Sequence, residues 1–177
     1  VYADVIERIL YNGMISGLSL DGKSFFYENP LEINLERRKL SGYNYAITTR
    51  VAVFSCSCCP PNLNRVLASL GDYIYGYESD TVYVNQFAGS EAKIGDMHIS
   101  QTTDFPTSNV IRLSAKNVKK LCVRIPGWCA SFDIDADFTV ENGYAVIENP
   151  EGEITVKFEI TPFAVQSNSR VDADCGK

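Results

Sequence analysis

The stretch PPNLNRVLASLGDYIYGYESDTVYVNQF, residues 60–87, passes from one hydrophobic period to another near its middle, and the class of the fold follows from that change. Leu63, Val66, Leu67, Leu70 and Ile74 recur at i, i+3, i+4, i+7 and i+11, the stripe of an amphipathic helix. Pro60 and Pro61 suit a first turn, where a missing N–H costs nothing, and Gly76 offers a stop, so the spacing predicts a helix over 61–75. From Thr81 the period becomes 2, the alternation of a half-buried strand. The boundary between a helical and a β portion is placed near residue 77.

Downstream, short β-favouring runs at 81–87, 93–100, 109–115, 119–125, 144–148 and 153–160 are separated by Gly, Asp, Asn, Ser or Pro. Such spacing predicts an antiparallel sandwich or jelly roll. Upstream, Val5, Ile6, Ile9 and Leu10 predict a helix over 2–12 that stops at Asn12-Gly13. Leu18 and Leu20, the Asp21-Gly22 turn and residues 24–27 carry a hairpin signal. Residues 28–59 hold a Glu36-Arg37-Arg38-Lys39 cluster without sustained period and are expected to form a solvated loop or helix end.

The 177 residues are 45% hydrophobic and 21% charged, an ordinary globular composition. A formal net charge of -6 argues against a surface built to grip nucleic acid. No apolar run approaches the roughly 20 residues that cross a bilayer, and the first ten residues are too charged for a signal peptide, so no membrane partner is expected. The start at Val1 rather than Met suggests a piece of a longer protein.

Three of the six cysteines fall within four positions, at Cys56, Cys58 and Cys59; Cys122, Cys129 and Cys175 are scattered. Neighbouring cysteines seldom pair with one another, so a metal site or a nucleophilic thiolate explains the cluster better than a disulfide framework, with plain packing as the alternative. The positive end of the helix that follows favours a thiolate. Cys59, before proline, is expected to be extended and to aim its side chain away from that of Cys58. A closed zinc site needs four ligands, and the single histidine, His98, is expected on a strand surface or in a hydrogen-bonded core. The clustered thiols favour a reducing compartment, hence a cytoplasmic location.

The run from Cys56 through Cys58-Cys59-Pro60-Pro61-Asn62 to Tyr75 resembles the signature of the β-L-arabinofuranosidases of glycoside hydrolase family 127. Residues 7–13, 20–23, 25–32 and Arg124-Ile125-Pro126-Gly127-Trp128 resemble the same family in the same order. The resemblance implies an α+β fragment: residues 1–77 as the last part of an α/α toroid catalytic domain, and residues 78–177 as an antiparallel, jelly-roll-like β-sandwich. It also implies a retaining, zinc-dependent glycosidase in which Cys58 is the nucleophile, Cys58 and Cys59 bind zinc, and Tyr27 lies near the sugar. The family's remaining zinc ligands, in a Glu-x-Cys motif, and its acid/base Glu come from earlier in its chain. No Glu-x-Cys occurs here, so the zinc site needs the rest of a parent chain, and the piece alone is expected to be inactive.

Other features are weaker. Asp133, Asp135 and Asp137 alternate like calcium ligands, yet Phe138 and Tyr144 stand where an EF-hand needs Gly and Glu, so they are read as a solvated strand face, with a calcium site at the sandwich edge as the alternative. Trp128 is expected to cover the β core, with sugar stacking as its alternative. A core role is likewise the alternative for Tyr27. Two rival functions stand beside the glycosidase: a non-catalytic β module that binds or supports carbohydrate, and a redox or structural metal site. Apolar surface left by a truncated toroid is expected to drive self-association.

Overall fold

Backbone hydrogen bonding changes character at Ile74, where helices give way to strands. The computed structural model describes residues 2–28, 30, 32–42, 46–53, 55 and 58–171. Among the described residues four α-helices come first: α1 (Tyr2–Arg8), α2 (Leu35–Ser41), α3 (Cys59–Ala68) and α4 (Gly71–Ile74). Ten strands follow: β1 (Tyr75–Glu78), β2 (Thr81–Val84), β3 (Ser90–Ile94), β4 (Met97–Thr103), β5 (Val110–Lys116), β6 (Lys120–Arg124), β7 (Phe132–Ile134), β8 (Thr139–Glu141), β9 (Tyr144–Glu148) and β10 (Glu153–Phe158).

The strands form two five-stranded sheets, ordered β1-β2-β6-β9-β8 and β3-β4-β5-β10-β7. Their facing side chains share one core. Val82, Val84, Leu121, Val123, Ala145 and Ile147 come from the first sheet, and Ile99, Ile111, Leu113, Ile154, Val156 and Phe158 from the second. Every described pairing is antiparallel except β2 with β6, which is parallel in the register Val82↔Leu121 and Val84↔Val123. The expected all-antiparallel arrangement fails there because the chain leaves the first sheet after β2, builds β3, β4 and β5 in the second, and returns beside β2 in the same direction.

Turn chemistry explains two further differences. Residues 93–100, expected as one strand, are the inner halves of a hairpin, because Gly95 takes φ +61° and lets Ile94 pair with Met97. Asn142-Gly143, both left-handed at φ +51° and +82°, makes the two-residue turn joining β8 to β9. The strands missed from sequence, β1, β7 and β8, are three or four residues long, too short to show a period.

The helices also depart from their predicted bounds. α1 does not stop at Asn12-Gly13: the chain continues through a wide turn over Ile9–Met14 and a tight one over Ile15–Gly17, and Gly13 is not left-handed. α3 starts at Cys59, two residues before the expected position, and ends at Ala68; a tight turn at Ser69 and Leu70 precedes α4. Gly76 is no helix stop. It lies in β1 opposite Tyr83, where a Cβ would come within 3.2 Å of the Asn85 amide. The hairpin over 18–27 consists of single bridges, Leu18 to Phe25 and Phe25 on to Val51, around the left-handed Gly22. Among the described residues no helix is long and apolar enough to cross a membrane.

Burial pushes the phenols of Tyr11, Tyr75 and Tyr144 above their ordinary value of 10.0, and the thiols of Cys122 and Cys129 above 9.0. A raised folded-state value contributes stability that is complete below the unfolded value and is lost as pH climbs through the folded one. The melting temperature is therefore expected to fall as pH rises past about 9. Thermal melts across the alkaline range check this; a melting temperature unchanged at about pH 10.5 would contradict it.

Candidate active site

The adjacent pair Cys58 and Cys59 sits at the start of α3. Cys58 is the N-cap residue, with helical angles of φ −73° and ψ −30°, and Cys59 is the first residue of the helix. Cys59 is thus helical rather than extended, a correction to the pre-proline expectation. That restriction is a bias, and here the helix outweighs it. Pro60 and Pro61 carry no N–H, so neither adds an unbonded donor to the first turn of α3.

The two sulfurs therefore point in related directions, and Cys58 Sγ lies 3.8 Å from Cys59 Sγ. That distance is too long for a disulfide between them. Two thiolates each about 2.3 Å from a tetrahedral zinc stand about 3.8 Å apart, so this pair matches one edge of such a site. Tyr27, remote in sequence, brings its hydroxyl to 3.3 Å from Cys58 Sγ. Cys58, Cys59 and Tyr27, each singled out from sequence, thus meet at one place.

They share a cavity of about 580 Å³, within the range of small-molecule sites. Asn62, Leu63 and Val66 of α3 form one side, Phe25 and Phe26 another, and Ile9, Gly13, Met14 and Gly17 a third. This third wall was not legible, because Asn12-Gly13 reads as a helix end when the wide turn in fact carries the chain past it. Phe26 is held from behind by Arg50, whose guanidinium carbon lies 4.5 Å from the ring centroid while Nη2 donates to the Ser16 carbonyl at 2.7 Å. Beside Tyr27, Glu28 pairs with Arg38 at 2.5 Å and ties the loop to α2.

The remaining candidates lie elsewhere. Cys122 is buried on β6 and Cys129 Sγ donates to the Ser131 carbonyl at 2.9 Å; neither joins the pair. His98 is exposed on β4, paired in register with Lys93 and Lys116. Asp133 and Asp137 are exposed, and Asp135 accepts the Thr155 N–H at 2.6 Å. Trp128 stacks on Phe105 at 6.2 Å and donates its indole N–H to Glu7 Oε1 at 2.5 Å, which places it against the core. Cys56 and Cys175 lie outside the described residues. Among the described residues no three His, Cys, Asp or Glu side chains are grouped to hold a metal, so the cysteine pair supplies at most part of a ligand set.

The catalytic domain of the β-L-arabinofuranosidases of glycoside hydrolase family 127 matches residues 1–72, and the middle domain of the same family matches residues 81–158. The chain belongs to glycoside hydrolase family 127. A non-reducing end β-L-arabinofuranosidase of Bifidobacterium longum is 31% identical over 99% of this family 127 chain. The crystal structure of a family 127 β-L-arabinofuranosidase from Geobacillus stearothermophilus T6 superposes with a TM-score of 0.79 at 36% identity over 98% of the chain. A second family 127 β-arabinofuranosidase structure gives 0.77 at 32% identity, also over 98%. The chain spans 30% of the length of the first two relatives and 31% of the third.

Proposed function

We propose that this family 127 chain is the cysteine-bearing part of a retaining glycosidase acting on β-L-arabinofuranosyl or related linkages, with Cys58 as nucleophile. The observation that carries the reading is the convergence of Tyr27, Cys58 and Cys59 on one cavity, with the sulfurs 3.8 Å apart and the phenol 3.3 Å from Cys58. Similarity to enzymes named β-L-arabinofuranosidases supports the sugar class. Exposed Val5, Ile9, Ile15, Leu35, Leu40 and Leu67 on the helical side favour burial against further helices of a parent chain, the rest of an α/α toroid, with the two sheets as its β-sandwich neighbour.

In this mechanism Cys58 Sγ attacks the anomeric carbon while a carboxylic acid outside this chain protonates the departing glycosidic oxygen. Water then attacks the same carbon and releases Sγ, so two inversions retain configuration. Sulfur replaces the usual carboxylate nucleophile and must be deprotonated to act. Tyr27 donates its O–H to the sulfur and fixes its direction, and the apolar walls from Phe25, Phe26, Met14 and Leu63 keep bulk water away. Cys58 and Cys59 would hold zinc with two ligands from the parent chain. When bound, zinc keeps the thiol deprotonated at neutral pH.

Tyr27→Phe in the parent enzyme is expected to lower kcat/KM by about 10- to 100-fold, the value of one hydrogen bond to a charged group, without loss of metal. Kinetics on an aryl β-L-arabinofuranoside beside zinc analysis check this. Unchanged kcat/KM would remove Tyr27 from the site, and absence of both zinc and turnover in the wild-type parent would overturn the proposed function.

A further inference from the structure

The helical run 2–17 has two working faces. Glu7 and Tyr11, four residues apart, look toward the strands, while Ile9, two residues on from Glu7 and about 200° round the helix from it, walls the cysteine cavity together with Gly13. On the strand side the grip is charged and almost dry. Arg124, at the end of β6 and 3% exposed, donates Nη1 to Asp4 Oδ1 at 2.6 Å, Nη2 to Glu7 Oε2, and Nε to the Asn85 carbonyl at 2.6 Å. Its guanidinium lies over Phe87, 5.1 Å from the ring centroid. Trp128 donates to the other Glu7 oxygen, and the Gly127 N–H reaches Asp4 Oδ1 at 3.2 Å. Gln86 Nε2 donates to the Ala3 carbonyl at 2.8 Å, and Phe105 meets the Tyr11 ring edge-on at 6.1 Å. A Cβ on Gly127 would come within 3.3 Å of Asp4 Oδ2, so this approach is close enough to favour glycine.

We propose that Arg124 and Trp128 are positioning residues for the cysteine cavity: by fixing Asp4 and Glu7 they set the placement of the Ile9, Gly13, Met14 and Gly17 wall against which the sugar is seated. The β portion then does more than accompany the helices. Its 124–128 segment controls substrate fit across the thickness of one helix, because a buried charge network with two carboxylates bound by one guanidinium fork permits little rotation or sliding of α1. This inference rests on the glycosidase reading, which gives the cavity its substrate.

The test uses Trp128→Phe in the full-length parent, which keeps the ring and loses the N–H donated to Glu7, and Asp4→Asn, which weakens the pair with Arg124 at a half-buried site. If either variant fails to fold, the other carries the experiment. KM for an aryl β-L-arabinofuranoside is expected to rise about tenfold with kcat per folded enzyme little changed, and backbone hydrogen exchange to quicken over residues 9–17. A merely structural role predicts a lower melting temperature with KM unchanged and exchange confined to residues 2–8 and 124–128; that result would overturn the proposal. A wild-type parent without turnover would sink the glycosidase reading instead, and exchange over 9–17 would still decide whether this wall answers to Trp128.

Discussion

Cys58→Ser in the full-length parent should reduce turnover of an aryl β-L-arabinofuranoside by about 10⁴-fold or more and leave the fold largely in place. The size follows from acidity, since a serine hydroxyl is not ionised at neutral pH and offers only a weak nucleophile where the thiolate stood. The preserved fold follows from position. Cys58 is exposed at the N-cap of α3 and makes no side-chain capping bond there, so the substitution removes no capping bond from the helix start. Steady-state kinetics and thermal melts on the same preparation separate the two effects. Turnover within about tenfold of wild type would remove Cys58 from the role of nucleophile.

The second large effect is on stability. Arg124→Met should cost about 3–5 kcal/mol, because it strips the counter-charge from Glu7, 6% exposed, and from the half-buried Asp4. Adding Glu7→Gln should recover a large part of that loss. The double variant no longer buries an uncompensated charge there, and Gln still offers an oxygen to the Trp128 N–H. Denaturant unfolding of wild type, both single variants and the double variant closes the cycle. Additive losses would contradict the coupling and leave the ion pair a minor contributor.

These two sites differ in how far the sequence disclosed them. The cysteine cluster was legible because its signals are local: adjacent thiols, two prolines and the hydrophobic stripe of 63–74 all lie within about five turns of chain. Tyr27 entered only through the resemblance of its neighbourhood, since nothing in a Phe-Phe-Tyr run says that its hydroxyl meets a sulfur 31 residues away. The Arg124 network spans 117 positions to Glu7 and has no local signature: Glu7, Arg124 and Trp128 lie in stretches that carry the family resemblance, yet nothing in the sequence joins them to one another or to Asp4. Core positions of β2 and β5 showed in their alternation, but the parallel β2–β6 pairing depends on where the chain spends residues 85–119 and is invisible to any window of strand length. Helix ends were the least legible. Asn-Gly and pre-proline rules are biases of about a kilocalorie, and tertiary contacts override them at Gly13 and Cys59.

The most direct test of the central claim is to trap the covalent intermediate. The full-length parent would be incubated with a 2-fluoro β-L-arabinofuranoside bearing a good leaving group, digested after denaturation, and its peptides mapped by mass spectrometry. The account predicts one fluorinated pentosyl group on Cys58 and none on Cys59, Cys122 or Cys129. The same adduct on a carboxylate, or product of inverted configuration with no adduct, would contradict it.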